Sequence, residues 1–489
     1  MALKTVELTV TILYFAVCIG IAVYFTARAG AGSTAYWAAE RGIGVWVNGV
    51  GVFTTLVSGG SFLGFLGFTG QFGWVFAGVS LATGTTLGFV LLGLLVGGPL
   101  RRYSEVQGKF TLSNFFTERY GPAAGRLATM LIIVILWIYI VPQLMAGGMA
   151  AQYVLGVSRT LAIVLVGAVI LVYVLLGGML SVTWTDFVQG ILKFAMMIGL
   201  SWVAIDTYGG LGPLIEKATV EQPSLMSLHP KLSPWAYVGL PLGIAVFITS
   251  SPHTIMRLFT ARSVRKGRAA LSLTAALCLV FHLFGYLGVG TAALVIAPDV
   301  LRTKGYDKSF LEVMDALFSP LLRGLAISAI LAAVMSTTAG ILLTVGAEFS
   351  VNVYKRFMRR EATDREAIRA SQILMLVIGI STVVGALAVK ESIGKLIAML
   401  VMAMGSAFSV PLLAGIWWKR ANAVGGVLGI VGGLASYLAA HWSGRLPAFT
   451  EILVAFPVSL LGVVVGSLLS ARPSFEKAQF VEALHTPTD

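Results

Sequence analysis

Charge is scarce in this chain: Asp, Glu, Lys and Arg make up only 11% of its 489 residues, against 57% hydrophobic. A soluble domain carries about a quarter of its residues charged, so a water-soluble globule is excluded and a polytopic membrane protein is expected. Cysteine is nearly absent, with two residues in all, and both Cys18 and Cys278 fall inside apolar runs. That excludes a disulfide framework and a cysteine-based metal cluster. The five histidines, His229, His253, His282, His441 and His485, lack metal-ligand spacing. There is no phosphate-binding loop, and the glycine-rich segments lie in apolar spans. No set of catalytic groups is visible, so an enzyme is not expected. Acidic residues are the rarer sign, 21 against 34 basic, for a net charge of +13. The cations cluster at Arg257 to Arg268 and Lys355 to Arg369, between apolar spans, which reads as a positive-inside topology signal facing anionic lipid and not as a nucleic-acid surface. A cleavable leader is not expected, because the first apolar run is a full span. The tail 471–489 is too short for a soluble domain, which weighs against a sensor kinase.

What the chain does have is long apolar runs. Scanning for segments of about 20 residues gives about thirteen transmembrane candidates, with the N-terminus outside and the C-terminus inside. Two of them look interrupted. The run 46–70 contains TTLVSGGSFLGFLGFTG, whose Ser58, Gly59 and Gly60 mark a gap where backbone groups face a cavity. The run 234–258 contains FITSSPHTIMR, where Pro252 removes a backbone donor and Thr249, Ser250 and Ser251 offer replacements. Each interrupted helix is the first of a set of five, and an odd number of spans gives the sets opposite orientation. Paired broken helices in inverted repeats mark a transporter site at the midplane. The expected organisation is a first helix with its inner loop (1–45), repeat one (46–208), an outer loop (209–233), repeat two (234–417), two further helices (418–470) and a cytoplasmic tail (471–489).

The stretch Ser328 to Tyr354 carries Ser336 and Thr337 near its middle, two hydroxyls that hydrocarbon leaves poorly solvated. Either they bond back to carbonyls one turn earlier, or they coordinate a small hard cation such as Na⁺, which takes hydroxyl and carbonyl oxygens. Few charges lie at membrane depth. Asp186 begins the sixth span, Lys193 follows it and reads as interfacial, and Glu348 shares a helix face with Thr337 toward the cytoplasm. An ion leaving the hydroxyl pair inward would meet both acids.

Several segments carry a family resemblance. Gly177-Gly178-Met179 with Thr185-Asp186-Phe187-Val188-Gln189, Ala332 to Thr337, Pro252-His253 with Arg257, and Trp418-Lys419-Arg420 together resemble the sodium/solute symporter family, in the family's order. Tyr36 to Arg41 and Thr111 to Arg119 add to it. The resemblance implies an all-α, LeuT-like core of 5+5 inverted repeats in the plasma membrane. It places Na⁺, the one expected cofactor, on the carbonyls of Val57, Gly60 and Ala333 and the hydroxyls of Ser336 and Thr337, with Asp186 and Glu348 on the release path. Relatives with a second sodium site have serines where this chain has Ala339 and Gly340, so one coupled ion is expected. Asn352 stands where many relatives have Asp.

Within the family, SSPHTIMRLFT, VSGGSFLGF and VPQLMAGG look most like acetate and short monocarboxylate permeases. The expected function is therefore Na⁺-coupled uptake of a small carboxylate by alternating access, without an obligate protein partner. Alternatives are a proton-coupled or amino-acid/pantothenate-selective symporter and, from another class, a membrane sensor or channel-like protein. Gly59 and Gly64 offer no side-chain hydrogen bond to a sugar, whose unpaired hydroxyls would each cost about 1–3 kcal/mol. Candidate substrate contacts are Ser58, Gly59, Ser61, Thr249, Ser250 and Ser251 for the anion, Phe62, Phe65, Phe247 and Ile248 for an apolar wall, and Gln143 as a polar partner.

Overall fold

The computed structural model describes residues 4–26, 32–303 and 305–486. The apolar runs all become helices, because a backbone in lipid must satisfy its own hydrogen bonds. The membrane elements are α1 (Thr5–Thr26), α2 (Val45–Leu56), α3 (Phe65–Phe72), α4 (Trp74–Leu91), α5 (Pro122–Leu155), α6 (Arg159–Thr207) and α7 (Ala236–Ser250). They continue with α8 (Pro252–Phe259), α9 (Val264–Phe284), α10 (Pro320–Phe349), α11 (Asp364–Ala388), α12 (Ile393–Trp417), α13 (Ala423–Ser443) and α14 (Ile452–Leu469). Among the described residues eleven helices are long and apolar enough to cross a membrane unaided, and the pair α2 and α3 qualifies as a further span once joined.

Both interruptions expected from the sequence are present. Between α2 and α3 the chain leaves helical geometry at Val57 (ψ 89°) and resumes through a π-turn, Gly60–Gly64. The two segments differ in direction by 58°. Between α7 and α8, Ser251 is extended (φ −66°, ψ 115°) and Pro252 opens the next helix, where its missing N–H costs nothing. This second break is gentler, since the segment Ala236–Phe259 still passes as one span.

The long α6 bends at Gly178, whose φ of 57° and ψ of −168° lie in a region open essentially to glycine alone. A β-carbon there would also sit 3.0 Å from the Tyr36 ring. The bend turns the Gly178–Thr207 half, with Asp186 and Lys193, toward the middle of the protein. There α10 is the most enclosed membrane element, its apolar window 94% buried against 17% for α1. It packs on α1, α2, α5, α6 and α11, while α7 packs between α4 and α12. α13 and α14 pair with each other at the side.

Candidate functional site

The gap between α2 and α3 frees the carbonyls of Thr54, Thr55 and Val57 toward α10. Ser336 Oγ donates to Thr54 O (3.0 Å) and to Ala333 O (3.2 Å), and Thr337 Oγ1 donates to Thr55 O (2.9 Å). Of the two accounts open for these hydroxyls, the bond back along the helix is thus only part of the answer for Ser336, and Thr337 reaches across to the broken helix.

The sequence reading missed what fills the space between them. Lys193, expected at the interface, is fully buried, and its ammonium donates to Thr54 O (2.7 Å), Val57 O (2.8 Å) and Ser336 Oγ (3.1 Å). The physical reason is helix phase and close approach. Lys193 lies two helical turns beyond Asp186 on the same face, and Gly190 lets α6 press onto α2, where a β-carbon would sit 2.2 Å from Thr54 Oγ1. The Asp186–Lys193 spacing is the signal that would have found it.

Other candidates are redistributed. Gly60, expected to offer its carbonyl to a cation, accepts the Phe65 N–H in the π-turn instead. Asp186 is buried and ion-paired with Arg257 Nη2, while Arg257 Nη1 donates to Thr183 Oγ1 (3.0 Å). Glu348 is buried and, among the described residues, without an ion-pair partner: it accepts from Ser113 N (3.2 Å) and Asn352 Nδ2 (2.7 Å), and Asn352 also binds Thr111 and accepts from Asn114. That knot fastens the end of α10 to the helix Leu112–Tyr120.

A small cavity of about 30 Å³ lies beside the gap. Ser58, Ser61, Phe65, Phe247 and Ile248, all candidate substrate contacts from the sequence, line it together with Thr85, Tyr139 and His282, which the sequence did not single out. His282 and Thr85 were hidden because each sits in a separate apolar helix with nothing local to mark it. Gly59 N–H donates to Gln143 Oε1 (3.2 Å), leaving Gln143 Nε2 buried without a partner among the described residues. Phe62 packs edge-on against Phe281 and Phe310. Thr249 and Ser250 bond back to Ala245 and Val246, and Ser251 meets His253, so those three hydroxyls are satisfied locally.

A broken helix facing a buried cation position, beside a small cavity of mixed polarity, defines a secondary transporter. The chain belongs to the sodium:solute symporter family, which residues 36–433 match. The family carries out transport, not catalysis, and sodium is its coupling ion; the chain is a multi-pass protein of the plasma membrane. It is 28% identical to the high-affinity proline transporter PutP of Bacillus subtilis (strain 168), over 92% of this chain and 96% of that protein. It is 28% identical to the sodium/proline symporter of Escherichia coli (strain K12), over 82% of each. These relatives correct the acetate-permease resemblance, which rested on motifs too short to separate branches of the family. The fold matches a Na⁺-coupled sialic acid symporter in a substrate-bound outward-open state, with a TM-score of 0.80 at 21% identity, over 96% of this chain and 98% of that one.

As the side chains stand, the expected sodium position does not fit an added Na⁺. Two of its oxygens, Val57 O and Ser336 Oγ, already accept from an ammonium, and a second unit charge about 3 Å away would be repelled by on the order of 5 kcal/mol at an effective dielectric of about 20. Asp186 is ion-paired with Arg257 and lies seven residues before Lys193 on the same helix face.

Proposed function

We propose that the chain is a symporter for a small, largely apolar amino acid of the kind its proline-transporting relatives carry. The observation that carries this is the cavity wall. Around a cavity that, at about 30 Å³, must widen to admit a solute, Phe65, Leu81, Ile244, Phe247, Ile248, Ile397 and Val401 give an apolar surface suited to a compact ring, Ser58, Ser61, Thr85, Tyr139 and His282 supply polar contacts, and among the described residues no Asp, Glu, Lys or Arg lines it. A zwitterion carries its own opposite charges and needs dipoles more than a fixed counter-ion. Its carboxylate would take the amides of Gly59 and Gly60 at the start of the second half-helix, now held by Gln143 Oε1 and Ser58 Oγ (3.1 Å).

The same reading includes two inverted five-helix units, 46–208 and 234–417, with the N-terminus outside and about thirteen spans. It makes the Thr54–Val57 and Ser336–Thr337 junction the coupling-cation position. On this topology the outer route runs past Gly64, Phe68 and Phe72. There Phe68, Phe72, Phe76 and Phe449 form one aromatic cluster, Phe72 meeting the other three edge-to-face.

The test is uptake of radiolabelled proline into proteoliposomes holding the purified chain, with alanine, acetate and pantothenate as competitors. Saturable uptake blocked by unlabelled proline and untouched by acetate is expected. Uptake blocked equally by acetate would overturn the amino-acid reading.

A further inference from the structure

We propose that Lys193 is a tethered cation that takes the place of the coupling sodium: its ammonium and Na⁺ exclude each other at the α2–α10 junction, and in this chain the ammonium holds the position. This rests on the symporter reading above for the identity of that junction. Three observations support it. First, an ammonium has three N–H donors and no acceptor, and all three are matched by Thr54 O, Val57 O and Ser336 Oγ at 2.7–3.1 Å. Val57 O and Ser336 Oγ, two of the oxygens expected on Na⁺, are therefore already engaged by the ammonium. Secondly, the side chain is built into place: Lys193 is fully buried, and its helix is pressed onto α2 through Gly190, where any β-carbon would collide with Thr54 and Val50. Thirdly, the surrounding charge is already balanced toward the positive. Asp186, seven residues before Lys193 on the same face of α6, is ion-paired with Arg257, so two buried cations stand with one carboxylate, and an added Na⁺ would be a third.

The ammonium also does something a free ion does not. Bound Na⁺ would join α2 to α10, whereas Lys193 joins both of them to α6. Opening this junction then requires the lysine to withdraw from the broken helix, and nothing leaves the protein when it does.

The experiment is equilibrium binding of radioactive sodium to the purified full-length protein, wild type against Lys193→Ala, with Lys193→Met as the variant that keeps the side-chain volume if alanine fails to fold. Removing the ammonium is expected to tighten sodium binding at least tenfold. Adding Ser336→Ala to the same background should abolish the gain, which locates it at the junction. Equal sodium affinity with and without Lys193, or a gain that survives Ser336→Ala, would overturn the proposal. In the wild type itself, saturable sodium binding at low millimolar concentration that Ser336→Ala removes would do the same. A wild type that imports no amino acid overturns only the substrate reading, because sodium binding is measured without a transported solute.

Discussion

Arg257→Met should be among the most damaging single substitutions in the membrane core. Arg257 and Asp186 are 2% and 0% exposed and form an ion pair between α8 and α6. Removing the guanidinium leaves a buried carboxylate facing only Lys193 and also strips Thr183 of its donor. Breaking one side of a buried pair costs about 3–5 kcal/mol, whereas replacing both partners by apolar groups of similar volume is often close to neutral. At about 1 °C per kcal/mol for a chain of this length, the single variant should melt about 3–5 °C below wild type in detergent. Adding Asp186→Leu should recover about half or more of that loss, short of all of it because Lys193 then lacks its acid. The assay is a fluorescence melting curve on the four proteins of the cycle, with proline uptake as a second readout. If Arg257→Met melts with the wild type, or the double variant melts as low as the single, the two groups are not compensating each other and the charge balance argued for the cation position is wrong.

Three further outcomes follow from the geometry. Thr337→Val keeps the shape but removes the bond to Thr55 O, and should cost about 1 kcal/mol of thermal stability, a loss of about one degree in the same melting assay. Gly64→Ala should cost about 1–3 kcal/mol and slow uptake. Its β-carbon would meet backbone atoms of Gly394 at 2.7 and 2.9 Å, so α3 cannot close fully on α12, and an introduced cysteine nearby should react faster with a water-soluble thiol reagent. Asp307, in the loop before α10, accepts from Ile393 N at the start of α12 (3.0 Å), and burial pushes its carboxyl up to about 6. The folded chain holds that proton more tightly than the unfolded one. The stability it confers is therefore full below about pH 4 and is lost as pH rises through about 6. Asp307→Asn should raise the melting temperature at pH 7 and flatten the profile between about pH 4 and 6; an unchanged profile would count against it.

What the sequence determined by itself is what depends on local chemistry repeated along the chain. Apolar length forces helices across the bilayer, while Ser58-Gly59-Gly60 and Ser251-Pro252 break two of them wherever they end up packing. The family was legible for the same reason, since Asp186, Ser336 and Thr337 stand in short runs that carry their own context. What only the tertiary structure decided is which groups from distant helices share one point. Lys193 looks interfacial along α6, and nothing near it in sequence says that Gly190 brings α6 onto α2. Thr85 and His282 likewise become neighbours only when α4 and α9 pack. A buried polar group is defined by the partners that satisfy it, and those partners come from distant segments, as with Thr55 and Thr337, 282 residues apart.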